Sequence, residues 1–291
     1  MKLALSTYSL HRLVGSGEYT HRDLIKIAKD IGFDAIETTE IPKEEGLSIN
    51  ESAQLFREEA DKYDLPICNY TVGADFITGS DGDTEKEIER VKAMVDTAAI
   101  LGVSGMRHDV TRGFKSKADR TYKGFDNILP ILADACRQVT EYAETKGIKT
   151  MVENHGYFAQ DADRVEKLVN TVAHDNFGLL VDMGNFLCAD DDPIKSVGKT
   201  APYAFHVHAK DFHIKPADSF YPGMGFMMTR GGTYIRGAIV GHGNVPVFQC
   251  LRALKAAEYD GYVSIEFEGM ENCLDGVKIG YQNLRRMLEM I

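Results

Sequence analysis

The chain has 291 residues, with 33 Lys and Arg against 44 Asp and Glu, and its formal net charge of -11 repels a phosphate backbone where no basic groove compensates. No apolar stretch approaches the roughly 18 residues of a membrane-spanning helix, and Met1-Lys-Leu-Ala-Leu-Ser6 is too short an apolar run for a secretory signal. These features exclude a nucleic-acid binder and a membrane protein and predict a soluble, cytoplasmic chain. The five cysteines are far apart and form no Cys-x-x-Cys pair, so they read as inert thiols, neither a disulfide framework nor a thiolate zinc site.

In chain order, short apolar runs predict strands at Leu3 to Ser6, Ala35 to Thr38, Pro66 to Tyr70, Gly105 to His108, Lys149 to Glu153, Phe177 to Asp182, Ala204 to Ala209 and Tyr262 to Phe267. Amphipathic stretches with helical spacing lie between them, such as Leu24, Ile27, Ala28 and Ile31, or Val91, Met94, Val95 and Ala98. Several close on a glycine that suits a left-handed helix cap, at Gly32, Gly102, Gly147 and Gly261. The alternation predicts a parallel sheet closed by right-handed crossovers into one (β/α)8 TIM barrel spanning 1–291, with a doubly wound open sheet as the alternative. No Gly-x-Gly-x-x-Gly turn follows the first strand to favour that alternative. The rhythm breaks at 211–244, where glycines crowd around Met224-Gly-Phe-Met-Met228; this is too long for a routine connection and is expected to be a substrate-covering loop.

Four of the later strands carry a candidate ligand at or near their carboxyl ends: Glu153, Asp182, His208 and Glu266. In a closed β/α barrel those ends share one mouth, where three carboxylates and an imidazole would make a hard divalent-cation site. Glu268 and His206 each lie two residues from a chosen ligand and so compete on the same face of an extended strand. His208 is preferred as the residue nearer the mouth.

A set of segments then points to a family: Ala4-Leu-Ser-Thr-Tyr-Ser9, Gly32-Phe-Asp-Ala-Ile-Glu37, His206-Val-His-Ala-Lys-Asp211, Gly241-His-Gly243 and Tyr259-Asp-Gly-Tyr-Val-Ser-Ile-Glu266. Together they resemble the sugar phosphate isomerase/epimerase superfamily, the xylose isomerase-like barrels that include ketose 3-epimerases, inosose dehydratases, hydroxypyruvate isomerases and AP endonuclease type 2 enzymes. The resemblance implies that Glu153, Asp182, His208 and Glu266 hold a divalent metal; one imidazole among three carboxylates favours Mn or Mg, with Zn or Co as alternatives. It also implies that Glu153 and Glu266 flank a bound hydroxy-ketone or hydroxy-aldehyde as an acid/base pair. The expected activity is a metal-dependent isomerase or epimerase acting on a small carbohydrate. A carbon-oxygen lyase on keto-sugars is the alternative, and a non-catalytic sugar-binding barrel a third reading.

Asn185 stands where nuclease relatives and many ketose epimerases carry a histidine, which together with the negative net charge argues against a DNA-repair nuclease. Substrate contacts are expected from Tyr8, Arg107, His108, His155, Asn185, Lys210 and His242. A homo-oligomer is compatible with the sequence.

Overall fold

A computed structural model of the chain describes residues 1–114 and 124–291. Its frame is eight strands, β1 (Lys2–Ser6), β2 (Ala35–Thr39), β3 (Ile67–Val72), β4 (Gly105–His108), β5 (Lys149–Glu153), β6 (Phe177–Asp182), β7 (Ala204–Ala209) and β11 (Tyr262–Ile265). They close into a barrel in the order β1-β11-β7-β6-β5-β4-β3-β2, each neighbour pairing parallel. The expected single barrel is the one observed. The open-sheet alternative falls because β1 pairs with both β2 and β11.

The described helices are α1 (His11–Gly15), α2 (Asp23–Ile31), α3 (Ile49–Lys62), α4 (Thr84–Leu101), α5 (Phe125–Glu144), α6 (Ala162–Val172), α7 (Pro193–Thr200), α8 (Val247–Ala256) and α9 (Cys273–Glu289). Local chemistry sets their ends. Ser48 and Glu51 form a reciprocal capping box at the start of α3, while Gly32 and Gly102 end α2 and α4 in the left-handed conformation at φ 106° and 71°. Gly261 does not act as a cap. Glu258 takes the left-handed turn after α8 at φ 61°, and Gly261 stays small because a Cβ there would meet the Tyr259 hydroxyl at 2.6 Å. Among the described residues no helix is long and apolar enough to cross a membrane.

The apolar core lies mainly between strands and helices, with Leu5, Ile36, Val181 and Val207 meeting helix residues such as Leu24, Val95, Leu132 and Leu251. The barrel interior is polar instead. Glu37 on β2 reaches across to His206 and His208 on β7 and to Ser264 on β11, none of them on a strand that neighbours β2. Strands are read with a period of two, so residues in register with these share the inward face: Ser6 and Asn69 lie beside Glu37, Asp182 beside His208, and His208 beside Ser264.

The segment 211–244, expected as a loop, contains a small antiparallel sheet. Its strands β8 (Asp211–Lys215), β9 (Met227–Met228) and β10 (Tyr234–Ala238) are arranged β8-β10-β9. Asp211 joins its two ends. One carboxylate oxygen accepts the N–H groups of Gly241 and Gly243, the other those of Phe212 and Val245, at 2.8 to 3.0 Å. The far end of the sheet is held over the barrel mouth: Thr229 donates to Asp190 at 2.6 Å, Arg230 pairs with Asp161 at 2.9 Å, and the Arg230 amide donates to the Cys188 carbonyl at 2.9 Å.

Candidate active site

Glu153 ends β5, Asp182 ends β6, His208 lies one residue before the end of β7, and Glu266 lies one residue past β11. Each offers one ligand atom, and these four atoms lie within 4.8 Å of one another. His208 Nδ1 is 3.6 Å from Glu153 Oε1, from Asp182 Oδ2 and from Glu266 Oε2. The residues fit a divalent cation on a specific observation: His208 Nδ1 and Asp182 Oδ2 are both buried without a hydrogen-bond partner. A buried polar atom left unpaired costs about 1–3 kcal/mol, a penalty that metal ligation would remove.

The candidate ligand set is locked from behind. Asp182 Oδ1 accepts the amides of Gly184 and Asn185 at 2.8 Å, which turns its other oxygen toward the cluster. Asn154 exchanges two hydrogen bonds with the Asp182 backbone, tying the ends of β5 and β6 together. His208 Nε2 lies 2.7 Å from Glu37, and Glu37 is also bonded to His206 at 2.6 Å and to Ser264 at 2.7 Å. Of the two competing histidines, then, His208 faces the ligands and His206 faces Glu37.

The two glutamates have different partners. Glu153 receives Arg107 at 2.6 Å and the Asn185 amide at 2.9 Å. Burial works to raise its pKa, but Arg107 and His208 hold the carboxyl well below the usual carboxylate range. Glu266 lies 2.5 Å from Lys210, which also approaches Glu268 at 3.2 Å and Asp182 at 3.4 Å. Burial opposes ionisation of Glu266 too, and Lys210 and His208 bring it down to about 2. Both carboxylates are therefore anionic, one beside a guanidinium that does not give up protons and one beside an ammonium that can.

The expected substrate contacts divide. Tyr8, Arg107, His155 and Lys210 line a cavity of about 360 Å³ over the cluster, and Asn185 lines an adjoining one of about 220 Å³. His108 and His242 do not join them. His108 is fully buried on the opposite face of β4 from Arg107, beside the Phe76 and Phe177 rings, with Nδ1 bonded to the Asp109 carbonyl at 2.7 Å. His242 is exposed on the turn after the small sheet and lines neither cavity.

Sequence reading passed over Asp109, which pairs with Arg107 at 2.8 Å and His155 at 2.9 Å; its place directly after Arg107-His108 was the available signal. It also passed over Arg112 and Tyr157, loop residues with no pattern to mark them. A larger cavity of about 650 Å³ opens at the opposite end of the barrel, near Gly105, Lys149 and Tyr262, and contains none of the four ligands.

The family model of the xylose isomerase-like TIM barrel matches residues 25–289, and the chain belongs to that family. An inosose dehydratase of Clostridium beijerinckii is 28% identical over 141 residues, 47% of this chain and 46% of that protein, so the match spans about half the length of the relative. Two solved structures share the fold. The IOLI protein with a bound zinc atom has a TM-score of 0.75 and 19% identity, covering 100% of this chain and 99% of the other. A D-tagatose 3-epimerase-like protein has a TM-score of 0.70 and 20% identity, with 100% and 99% covered.

Proposed function

We propose that the chain is a divalent-cation-dependent enzyme that moves a proton at the carbon beside the carbonyl of a hydroxy-ketone or hydroxy-aldehyde sugar, isomerising or epimerising it. The observation that carries this reading is the convergence of four candidate ligand atoms within 4.8 Å, with His208 Nδ1 and Asp182 Oδ2 buried among them without a hydrogen-bond partner. A divalent cation held by Glu153, Asp182, His208 and Glu266 would polarise the carbonyl and an adjacent hydroxyl oxygen and make the neighbouring C–H acidic. The oxygen-rich set favours Mn or Mg; the imidazole and the zinc of the IOLI protein keep Zn, with Co, as alternatives.

The protein's own groups divide the proton transfers. Glu153, fixed and kept ionised by Arg107 and Asn185, takes the proton. On the other side the Lys210 ammonium, 2.5 Å from the Glu266 carboxylate, supplies through it the proton that is returned. Arg107, Asp109 and His155 form a charged rim that meets substrate hydroxyls.

A second reading, a carbon-oxygen lyase, is favoured by the Lys210 ammonium 2.5 Å from Glu266, since a departing hydroxide or alkoxide needs a proton donor on the side away from the base. The inosose dehydratase relative supports it as well. Metal analysis followed by incubation with aldoses, ketoses and keto-sugars in deuterated water tests both readings. Deuterium in a recovered isomer supports the first, and loss of water or of a glycosidic group supports the second. A fully metallated protein inert toward the whole panel would leave a non-catalytic sugar-binding barrel.

A further inference from the structure

We infer that the mouth is a two-part site whose outer part takes a flat apolar substituent, an aryl aglycone, on the sugar held over the ligand cluster; the inference rests on the metal-site reading above. The two cavities at the mouth, about 360 and 220 Å³, share the wall residues Arg112, His155, Lys210 and Glu268 and so lie side by side. Their walls differ in chemistry. The inner part carries the candidate ligand residues Glu153, His208 and Glu266, whereas the outer part adds the apolar Tyr157, Cys188, Phe212 and Met227 beside Gln160 and Asn185.

Tyr157 is placed there at a conformational cost. Its φ of 64° lies in the left-handed region, which is uncommon for a bulky side chain and persists where surrounding bonds impose it. Those bonds are present. The Tyr157 amide donates to Gln160 at 2.5 Å, the Arg230 guanidinium donates to the Tyr157 carbonyl, and the ring hydroxyl lies 3.4 Å from the Met228 carbonyl and 3.5 Å from the Met227 sulfur. The β5–α6 loop and strand β9 thus meet edge to edge, leaving Tyr157 41% and Met227 37% exposed beside the polar chamber.

A bare sugar in the inner chamber would leave this apolar surface wet. An aryl group on a glycosidic oxygen would cover it, gaining from burial and from contact with the ring and the adaptable thioether. The shared seam of Arg112, Lys210 and Glu268 is polar, which suits the linking oxygen.

The test uses the full chain loaded with Mn, and the methyl and phenyl 3-keto-D-glucosides of both anomeric configurations as probes in a calorimetric binding assay. The expected result is about tenfold tighter binding of a phenyl glycoside than of its methyl counterpart, with the ratio falling toward one in Tyr157→Ala and in Met227→Asp. Met227 lies at the exposed rim, so its variant remains informative if loss of Tyr157 disturbs the loop. Equal affinity for phenyl and methyl probes would overturn the aryl subsite and leave the metal-site reading standing. A phenyl preference that persists in both variants would also overturn it. Failure of every probe to bind the metallated protein would count against the keto-sugar reading and bring the aryl subsite down with it.

Discussion

His208 turns its two ring nitrogens to opposite partners: Nε2 lies 2.7 Å from Glu37 Oε1, while Nδ1 faces Glu153, Asp182 and Glu266 at 3.6 Å each. Glu37 is fully buried, which opposes its ionisation, yet His208 and His206 hold its carboxyl well below the usual range. An ionised carboxylate only accepts, so Nε2 carries a proton, and Nδ1 is the nitrogen left to give up its own to a cation. Glu37→Gln replaces an acceptor that serves His206, His208 and Ser264 with an amide that must also donate. Divalent-cation affinity should fall about 10–100-fold, measured by chelator competition on protein whose circular dichroism is unchanged. Native affinity in this variant would mean that another group sets the tautomer.

Asp182→Ala and His208→Ala should each remove metal and activity together. The two variants should differ in stability. Asp182 also accepts two backbone amides in the turn after β6, so its removal should cost an additional ~1–3 kcal/mol that Asp182→Asn partly recovers. Metal content by elemental analysis and urea midpoints separate the two effects, and normal metal content in either alanine variant would refute the ligand assignment.

The barrel and the convergence of Glu153, Asp182, His208 and Glu266 were legible because apolar strand runs end at or near these residues, and parallel topology brings strand ends together. Depth and facing were not. Glu37 reads as a strand-end residue like the others, and only the closure of β1 on β11 reveals that it reaches across the interior to β7. Arg107 and His108 are consecutive, and a period of two sends one inward and the other into the helix layer, a choice that four residues of β4 do not encode. The 211–244 segment hides its pairing for another reason. Phe212 aligns with Gly237 across a long glycine-rich stretch that carries no alternating pattern.

His108 predicts an acid-sensitive fold. Burial lowers its pKa from the ordinary 6.5 to about 4, so below pH 6.5 the unfolded chain takes up a proton that the folded chain refuses. Its contribution is complete above pH 6.5 and is lost as pH falls toward 4, by about 3 kcal/mol over the whole window at about 1.4 kcal/mol per unit. Urea midpoints at pH 7.5 and 5 should show the loss, and His108→Gln should reduce it. Equal slopes in wild type and variant would show that His108 is not its source.

The outer end of the 211–244 segment should matter to turnover more than to folding. Phe220 and Met224 are 95% and 89% exposed, whereas Thr229 and Arg230 anchor the sheet to the loops after β5 and β6. Replacing 220–226 with a short Gly-Ser link should leave stability within about 0.5 kcal/mol. It should lower kcat/KM for the natural substrate by loosening the cover over the mouth. Unchanged kinetics with an intact fold would reduce the segment to a surface ornament.

The two glutamates provide the most discriminating test, because their partners differ. Glu153→Gln and Glu266→Gln keep shape and one ligand oxygen, so part of the metal should remain while the carboxylate base is lost. Turnover should fall in both by at least the hundredfold typical of a missing general acid or base. With Arg107 fixing Glu153 in its ionised form, Glu153→Gln should also abolish exchange of the substrate C–H proton with deuterated solvent. The outcome for Glu266→Gln separates the reactions. In a two-base epimerisation, exchange should persist from one face only, whereas in an elimination the proton should still come off while the leaving oxygen, deprived of the Lys210–Glu266 side, departs slowly. Near-native activity in either variant at matched metal occupancy would refute the paired-carboxylate mechanism and turn attention to His155, which lines the same cavity.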